Sequence, residues 1–167
     1  MFSVVAARHG AKEVVSVDLS PRYLERARLN FELNDLPLDA HSFIAEDTLK
    51  VLDRYRRKNE QFDLVIADPP SFSHGPDGDW SGKGGLARLI QSCAAVTRTG
   101  GWLCVASNQG SVTPKDFHRA IQAGGRKGGC QLRIVHQGSP PLDFPAALDF
   151  PESRYLKVWV LHVGREE

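Results

Sequence analysis

The sequence lacks the marks of several protein classes. Three cysteines in 167 residues are an odd number without metal-type spacing, which argues against a disulfide framework and suits a reducing cytoplasm. No apolar run approaches the roughly 20 residues that span a bilayer, and the start of the chain has no basic signal-peptide leader. A formal net charge of +1 gives no global attraction to nucleic acid, so any RNA contact must come from local patches or another domain.

What is present is an ordinary globular composition. Hydrophobic residues make up 41% of the chain and charged residues 25%, which is typical of a folded domain and not of a disordered or fibrous chain. A chain of this length can bury one sizeable core. We find no internal repeat and predict a single domain over residues 1–167.

Short apolar segments alternate with helical ones, which predicts an α/β fold with a doubly wound, mostly parallel sheet. The last two predicted strands are joined by a proline-rich loop without a helix, which indicates an antiparallel pair at the C-terminal edge. Residues 74–85 hold five glycines and predict a mobile loop. Strands are predicted at 13–18, 41–45, 62–67, 102–106, 131–136 and 155–163, and helices at 2–9, 21–34, 48–58, 86–98 and 114–123.

One segment, residues 68–73, closes the apolar strand at 62–67. Pro69 and Pro70 cannot donate ladder hydrogen bonds, so the strand must stop at Asp68. Open α/β sheets bind ligands at this carboxyl end of their strands. The segment therefore delivers a carboxylate, a rigid turn and the ring of Phe72 to one place, although an ordinary strand-ending turn remains the alternative. Phe72 is either a stacking partner for a flipped-out base or a core aromatic.

Three other predicted strands end in polar residues, and in a parallel sheet all four ends share one edge. Asp18 ends the first strand of this chain, and an acid after the second strand of a nucleotide-binding sheet commonly binds ribose hydroxyls. The alternative for Asp18 is a surface acid near a helix N-terminus. Asp47, beside Glu46, either accepts a hydrogen bond from an adenine amino group or caps the next helix. Ser107 and Asn108 end the fourth strand.

These features together resemble the class I S-adenosylmethionine (SAM)-dependent methyltransferases, and in particular those that modify large-subunit ribosomal RNA at guanine N7 or cytosine C5. The resemblance spans nearly the whole chain and implies a Rossmann-like fold, SAM as cofactor and large-subunit rRNA as substrate. It rests on residues 6–11, 15–20, 30–34, 62–63, 68–72 and 155–157. The cofactor-binding residues that it implies are Asp18, Leu19, Glu46, Asp47 and Asp68, and the methyl-transfer residues are Asp68, Pro69, Pro70, Phe72 and Asn108.

One departure from this family concerns the target atom. Its cytosine-C5 enzymes need a thiolate to add to the pyrimidine ring, and this chain has Asn108 where they have cysteine. Cys104 lies inside the predicted strand and is interpreted as a core thiol. A guanine N7 or exocyclic amine target, each with its own lone pair, is therefore favoured over carbon.

A second departure is the family's first strand and glycine-rich turn, which would precede Phe2. We expect the fold to be truncated at its N-terminus and SAM binding to be weak or absent. Two other functions remain open: a non-catalytic remnant or assembly partner, and an NAD-dependent oxidoreductase, which would also place an acid after its second strand.

The sequence also contains a short basic pair and two histidines in predicted strands. Arg126 and Lys127 stand between glycines and are interpreted either as an RNA contact or only as a turn. His136 and His162 fall in predicted strands without ligand-like partners, so no metal site is predicted.

Overall fold

The structure, a computed structural model, describes residues 1–70, 72–75, 78–141, 143–145, 147–150, 153 and 155–165, and only the backbone at 72–75 and 78–84. The chain divides into two compact units, Met1–Arg54 and Tyr55–Glu167. A single domain over 1–167 stays a prediction. No helix in the described ranges combines the length and apolar character that crossing a membrane requires.

The first unit is built on two parallel strands, β1 and β2, with Val15 opposite Ser42. Its elements are α1 (Phe2–Arg8), β1 (Val15–Asp18), α2 (Pro21–Glu32), β2 (Ser42–Ala45) and the start of α3 (Thr48–Arg57). Phe31 of α2 is fully buried, and its ring meets His41 and Phe43 edge to face, with centroids 4.9 and 5.2 Å away. This aromatic cluster holds α2 against the loop and strand that follow it.

The second unit contains a four-stranded mixed sheet in the order β3-β6-β8-β7. Strand β3 pairs with β6 in parallel, and β8 lies antiparallel between β6 and β7. The elements are β3 (Phe62–Ala67), β4 (Phe72–Gly75), β5 (Gly78–Ser81), α4 (Gly82–Val96), β6 (Thr97–Ser107), α5 (Pro114–Lys127), β7 (Gln131–Gly138) and β8 (Lys157–Gly164).

Helices α4 and α5 pack closely beside this sheet. A Cβ atom at Gly124 of α5 would lie 2.7 Å from the Ala87 carbonyl oxygen and from Ile90 of α4, so glycine is what allows the two helices to approach. The core of the unit is apolar and fully buried, as expected from the spacing of its hydrophobic residues. Its members include Ile90, Val96, Leu103, Val105, Phe117, Leu161 and Val163.

The predicted α/β class is confirmed, and so is the antiparallel pair formed by the last two strands. The loop predicted over residues 74–85 is wrong in part. Strands β4 and β5 form an antiparallel pair, Gly75 faces Gly78, and α4 starts at Gly82. Glycine weakens a strand but does not forbid one.

Candidate active site

The end of β3 delivers Asp68 to the carboxyl edge of the second sheet. The last strand residue, Ala67, is buried and pairs with Val105 of β6, so Asp68 lies beside the end of β6. Pro69 and Pro70 follow outside the ladder. Although the Asp68 side chain still reaches solvent, the surrounding protein desolvates it and raises the pKa of its carboxyl group.

The loop that follows β6 carries Asn108 to the same edge. Ser107 is buried, and its Oγ accepts a hydrogen bond from the Gln109 N–H at 3.4 Å. Because β3 and β6 are parallel, Asp68 and Asn108 both follow strand ends at one edge of the sheet. The predicted meeting of these two strand ends is therefore confirmed.

Lys157 holds this loop from the neighbouring strand. It pairs with Ser107 across β6 and β8, and its ammonium group donates to the carbonyl oxygens of Gln109 at 2.9 Å and Tyr155 at 2.6 Å. Partial burial lowers the pKa of Lys157. This contact of Lys157 is not predictable from the sequence. Its partner is 48 residues away, and a lysine at the start of an apolar strand does not indicate which loop it binds.

Gln109 adds an acceptor that the sequence also did not reveal. Its Oε1 atom is buried and has no hydrogen-bond partner among the described residues. A buried acceptor without a donor costs stability. This buried atom lies one residue from Asn108, in the loop that follows β6.

No cysteine at this edge is prepared to act as a nucleophile. Cys104 of β6 pairs with Ile66 of β3, and burial, followed by the negative charge of Asp68, raises the pKa of its thiol. Burial also raises the pKa of Cys130, and that of Cys93 to about 12. All three cysteines of the chain are therefore held as neutral thiols, the unreactive form.

The first unit carries a second group of the predicted residues, at the ends of β1 and β2. Asp18 pairs with Ala45, and the Glu46 N–H donates to the Asp18 carbonyl oxygen at 3.2 Å. Oδ1 of Asp18 accepts from the Ser20 N–H at 2.7 Å, which fixes the carboxylate. Leu19 beside it is 45% exposed. A fixed carboxylate next to an exposed apolar side chain fits a ribose and its base.

Glu46 and Asp47 already have local partners. Glu46 Oε2 lies 2.8 Å from Nη1 of Arg54, and Asp47 Oδ1 accepts from the Lys50 N–H at 3.0 Å. The second contact is the helix cap that the sequence left open as an alternative for Asp47. A cofactor role for either acid stays a prediction.

The structure gives only partial information on Ser71 and Phe72, the residues that follow Pro70. Phe72 lies in β4, and the structure describes its backbone alone; Ser71 is outside the described residues. Within the described part of the chain, no three histidine, cysteine or acidic side chains cluster closely enough to hold a metal ion.

Replacing Asp68 by asparagine should raise the stability of the protein near neutral pH. When folding raises the pKa of an acid, ionisation of that acid costs more free energy in the folded state than in the unfolded state. This loss of stability is complete above the folded pKa, and it disappears as the pH falls towards the unfolded pKa of about 3.9. We therefore expect Asp68→Asn to have a higher free energy of unfolding than the parent at pH 7, with the gap narrowing towards pH 4, in urea titrations.

Asp143→Asn, a change in an exposed turn of the same unit, serves as the control and should leave the free energy of unfolding unchanged. A loss of stability in Asp68→Asn at pH 7 would show that the Asp68 carboxylate is stabilised by the fold and not desolvated by it.

Comparison with known proteins places this geometry in a family. The family profile described as S-adenosylmethionine-dependent methyltransferase matches residues 1–153. "Ribosomal RNA large subunit methyltransferase I" of Cronobacter sakazakii is 30% identical, over 97% of this chain and 41% of its own length. The protein of the same name from Aeromonas salmonicida is 33% identical, over 93% of this chain and 39% of its own. The chain thus spans about two fifths of the length of these relatives.

Solved structures share the fold. SMU.776, a candidate methyltransferase complexed with S-adenosylhomocysteine (SAH), has a TM-score of 0.88 and 28% identity over 96% of this chain and 41% of its own. A SAM-dependent methyltransferase of Agrobacterium tumefaciens, 23% identical, matches in fold with a TM-score of 0.72 over 94% of this chain and 51% of its own. With the profile covering most of its length, the chain belongs to the S-adenosylmethionine-dependent methyltransferases.

Proposed function

We propose that this chain forms the catalytic part of an enzyme that transfers the methyl group of SAM to a base nitrogen of large-subunit rRNA, of the guanine N7 type. The names of the relatives support the rRNA substrate. The observation that carries the nitrogen target is the edge of β3 and β6, where Asp68 and Asn108 lie together and the nearest thiol, Cys104, has a raised pKa.

The first unit would hold the adenosine end of SAM. Asp18 Oδ1 is already fixed by Ser20, and the carboxylate can still accept from a ribose hydroxyl. Leu19 offers an exposed apolar contact to the adenine. Glu46 and Asp47 would border the adenine, with their side chains oriented by Arg54 and the Lys50 N–H.

The second unit would orient the target base. When bound, SAM would supply an electrophilic methyl group on its sulfonium sulfur, so that a nitrogen lone pair of the base can form a bond to the methyl carbon while the S–C bond breaks and S-adenosylhomocysteine leaves. Guanine N7 has such a lone pair and loses no proton, so positioning can suffice. Asp68 can accept from the guanine amino group and Asn108 can donate to its carbonyl oxygen. Pro69 and Pro70 keep the Asp68 backbone rigid, and Phe72 is proposed to stack on the base.

An exocyclic amine is the second candidate target, and the raised pKa of Asp68 favours it. Methylation of an amine must release a proton, and a carboxylate with a raised pKa accepts one more readily. The identity of the methylated nucleoside separates the two targets.

SAM binding by this chain should depend on Asp18. The Asp18 carboxylate is fixed by the Ser20 N–H and would accept a hydrogen bond from a ribose hydroxyl. We expect Asp18→Ala to weaken SAM binding by at least about tenfold in calorimetric titrations, because a hydrogen bond to a charged acceptor is lost, and we expect NADH to give no heat. An Asp18→Ala variant that binds SAM as tightly as the parent would contradict this role.

Methyl transfer should depend on Asn108 and not on Cys104. We expect Cys104→Ser to keep the parent rate and Asn108→Ala to lower it by about 10- to 100-fold, since one orienting hydrogen bond is lost. The measurement is transfer of label from about millimolar radioactive SAM to large-subunit rRNA, a concentration well above the Kd of a micromolar cofactor site.

Loss of transfer in Cys104→Ser, with an unchanged free energy of unfolding, would show covalent catalysis and overturn the nitrogen target. If the parent chain transfers no label at millimolar SAM, catalysis by this chain is refuted and a role as a non-catalytic assembly partner is favoured.

A further inference from the structure

A groove of about 580 Å³ opens between α5 and the strands β7 and β8 of the second unit. It lies on the face of the sheet that α5 covers, and Asp68, Pro69, Pro70 and Asn108 are not among its lining residues. Its walls combine aromatic, apolar and cationic side chains, of which the most relevant are His118, Gln122, Arg126, Ile134 and Trp159.

Trp159 forms an aromatic platform in this groove. Its ring forms T-shaped contacts with the fully buried Phe117 and with the exposed His118, each with centroids 5.4 Å apart. Ile134, on the neighbouring strand, is 43% exposed. A half-buried ring in the wall of an open groove, beside an exposed apolar side chain, is a surface on which an unpaired base can stack.

The chain segment that contains α5 and the start of β7 carries one-sided charge. Between Asp116 and Asp143 it has no acidic residue and four exposed basic ones, Arg119, Arg126, Lys127 and Arg133, although acids and bases are nearly balanced over the whole sequence, 20 against 21. Of these four, Arg126 lines the groove, whereas Arg133 lies between the lining residues Leu132 and Ile134 and so on the other face of the sheet. Such a local excess of positive charge attracts a polyanion even when the net charge of the protein is close to zero.

The spacing along α5 directs part of this charge towards the groove. Arg126 follows Gln122 and His118 at intervals of four residues, so the three lie on one face of the helix, and all three line the groove. Arg119 stands three residues before Gln122, at the border of that face. Arg119 Nη1 approaches Asp116 Oδ1 to 4.0 Å at the exposed surface, and such an ion pair is weak.

Helix α5 and strand β8, which both line the groove, also extend towards the loop that carries Asn108. Helix α5 begins at Pro114, directly after the loop that carries Asn108. Trp159 is two residues from Lys157 on β8, about 7 Å along the strand, and Lys157 binds that loop. A chain of nucleotides leaving the methyl-transfer edge could therefore continue into the groove.

We propose that the groove binds single-stranded RNA next to the target nucleotide, with one base stacked on Trp159 and phosphates beside Arg119 and Arg126. This inference rests on the proposed RNA substrate and adds the surface that holds it. An acidic peptide would match the positive charge of the groove, but its carboxylates would not stack on Trp159. Single-stranded RNA matches both the charge and the aromatic ring.

The first test measures binding of fluorescein-labelled single-stranded RNA to the 167-residue chain by anisotropy. Arg119→Glu/Arg126→Glu should weaken binding at least about tenfold at low salt and reduce the salt dependence by the equivalent of about two phosphate contacts. The matched control is Arg22→Glu/Arg26→Glu, the same charge change on the exposed face of α2, which should weaken binding by less than about threefold.

The second test measures tryptophan fluorescence, which changes when a base stacks on Trp159 but not when a charged group only binds nearby. RNA should quench tryptophan fluorescence in the parent chain, and Trp159→Phe should lose most of that quenching while its own affinity falls by a smaller factor than in the arginine variant. A poly-glutamate peptide of equal charge should bind more weakly than RNA and should not quench.

Four results decide between the proposals. If the Arg119→Glu/Arg126→Glu variant binds RNA with the same affinity as the parent chain, RNA binding by the groove is refuted and the proposed rRNA substrate is unaffected. If no RNA binds to the parent, both fail. If the groove variants lose RNA but no label is ever transferred, the groove stands and the proposed catalysis fails. If poly-glutamate binds as tightly as RNA without quenching, the groove is a protein-binding surface instead.

Discussion

The candidate chemistry depends on the parallel pairing of β3 with β6. Ala67 opposite Val105 brings the ends of two strands from distant parts of the chain to one edge. The two prolines then stop β3, and Lys157 secures the loop after β6 by donating to the Gln109 carbonyl oxygen. Without this register, Asp68 and Asn108 would not follow neighbouring strand ends at one edge of the sheet.

The electrostatics of this edge are consistent with noncovalent methyl transfer. Desolvation raises the pKa of Asp68, and the charge of Asp68 in turn contributes to the raised pKa of Cys104. A thiol next to a carboxylate is a poor source of thiolate, whereas a desolvated carboxylate is a strong hydrogen-bond acceptor. The same local arrangement therefore disfavours attack through sulfur and favours orientation of a base with its own lone pair.

The sequence predicted most of the elements, and it did so where local rules dominate. Apolar runs mark the strands, Ser20-Pro21 marks the start of α2, and the prolines mark the end of β3. It could not predict the role of Lys157, which depends on a partner 48 residues away. The glycine content of residues 74–85 predicts a loop, and the pairing of β4 with β5 is visible only in the folded structure. For Asp47, a cap and a ligand contact use the same residue type, so only the structure could show the cap.

The most direct test of this account is the identity of the nucleoside that is methylated. Large-subunit rRNA incubated with the chain and labelled SAM would be digested to nucleosides and analysed by chromatography and mass spectrometry. The account predicts the label on a base nitrogen, with 7-methylguanosine as the main product. Label in 5-methylcytidine would contradict it, because that product requires a thiolate nucleophile, which none of the three buried or half-buried thiols provides.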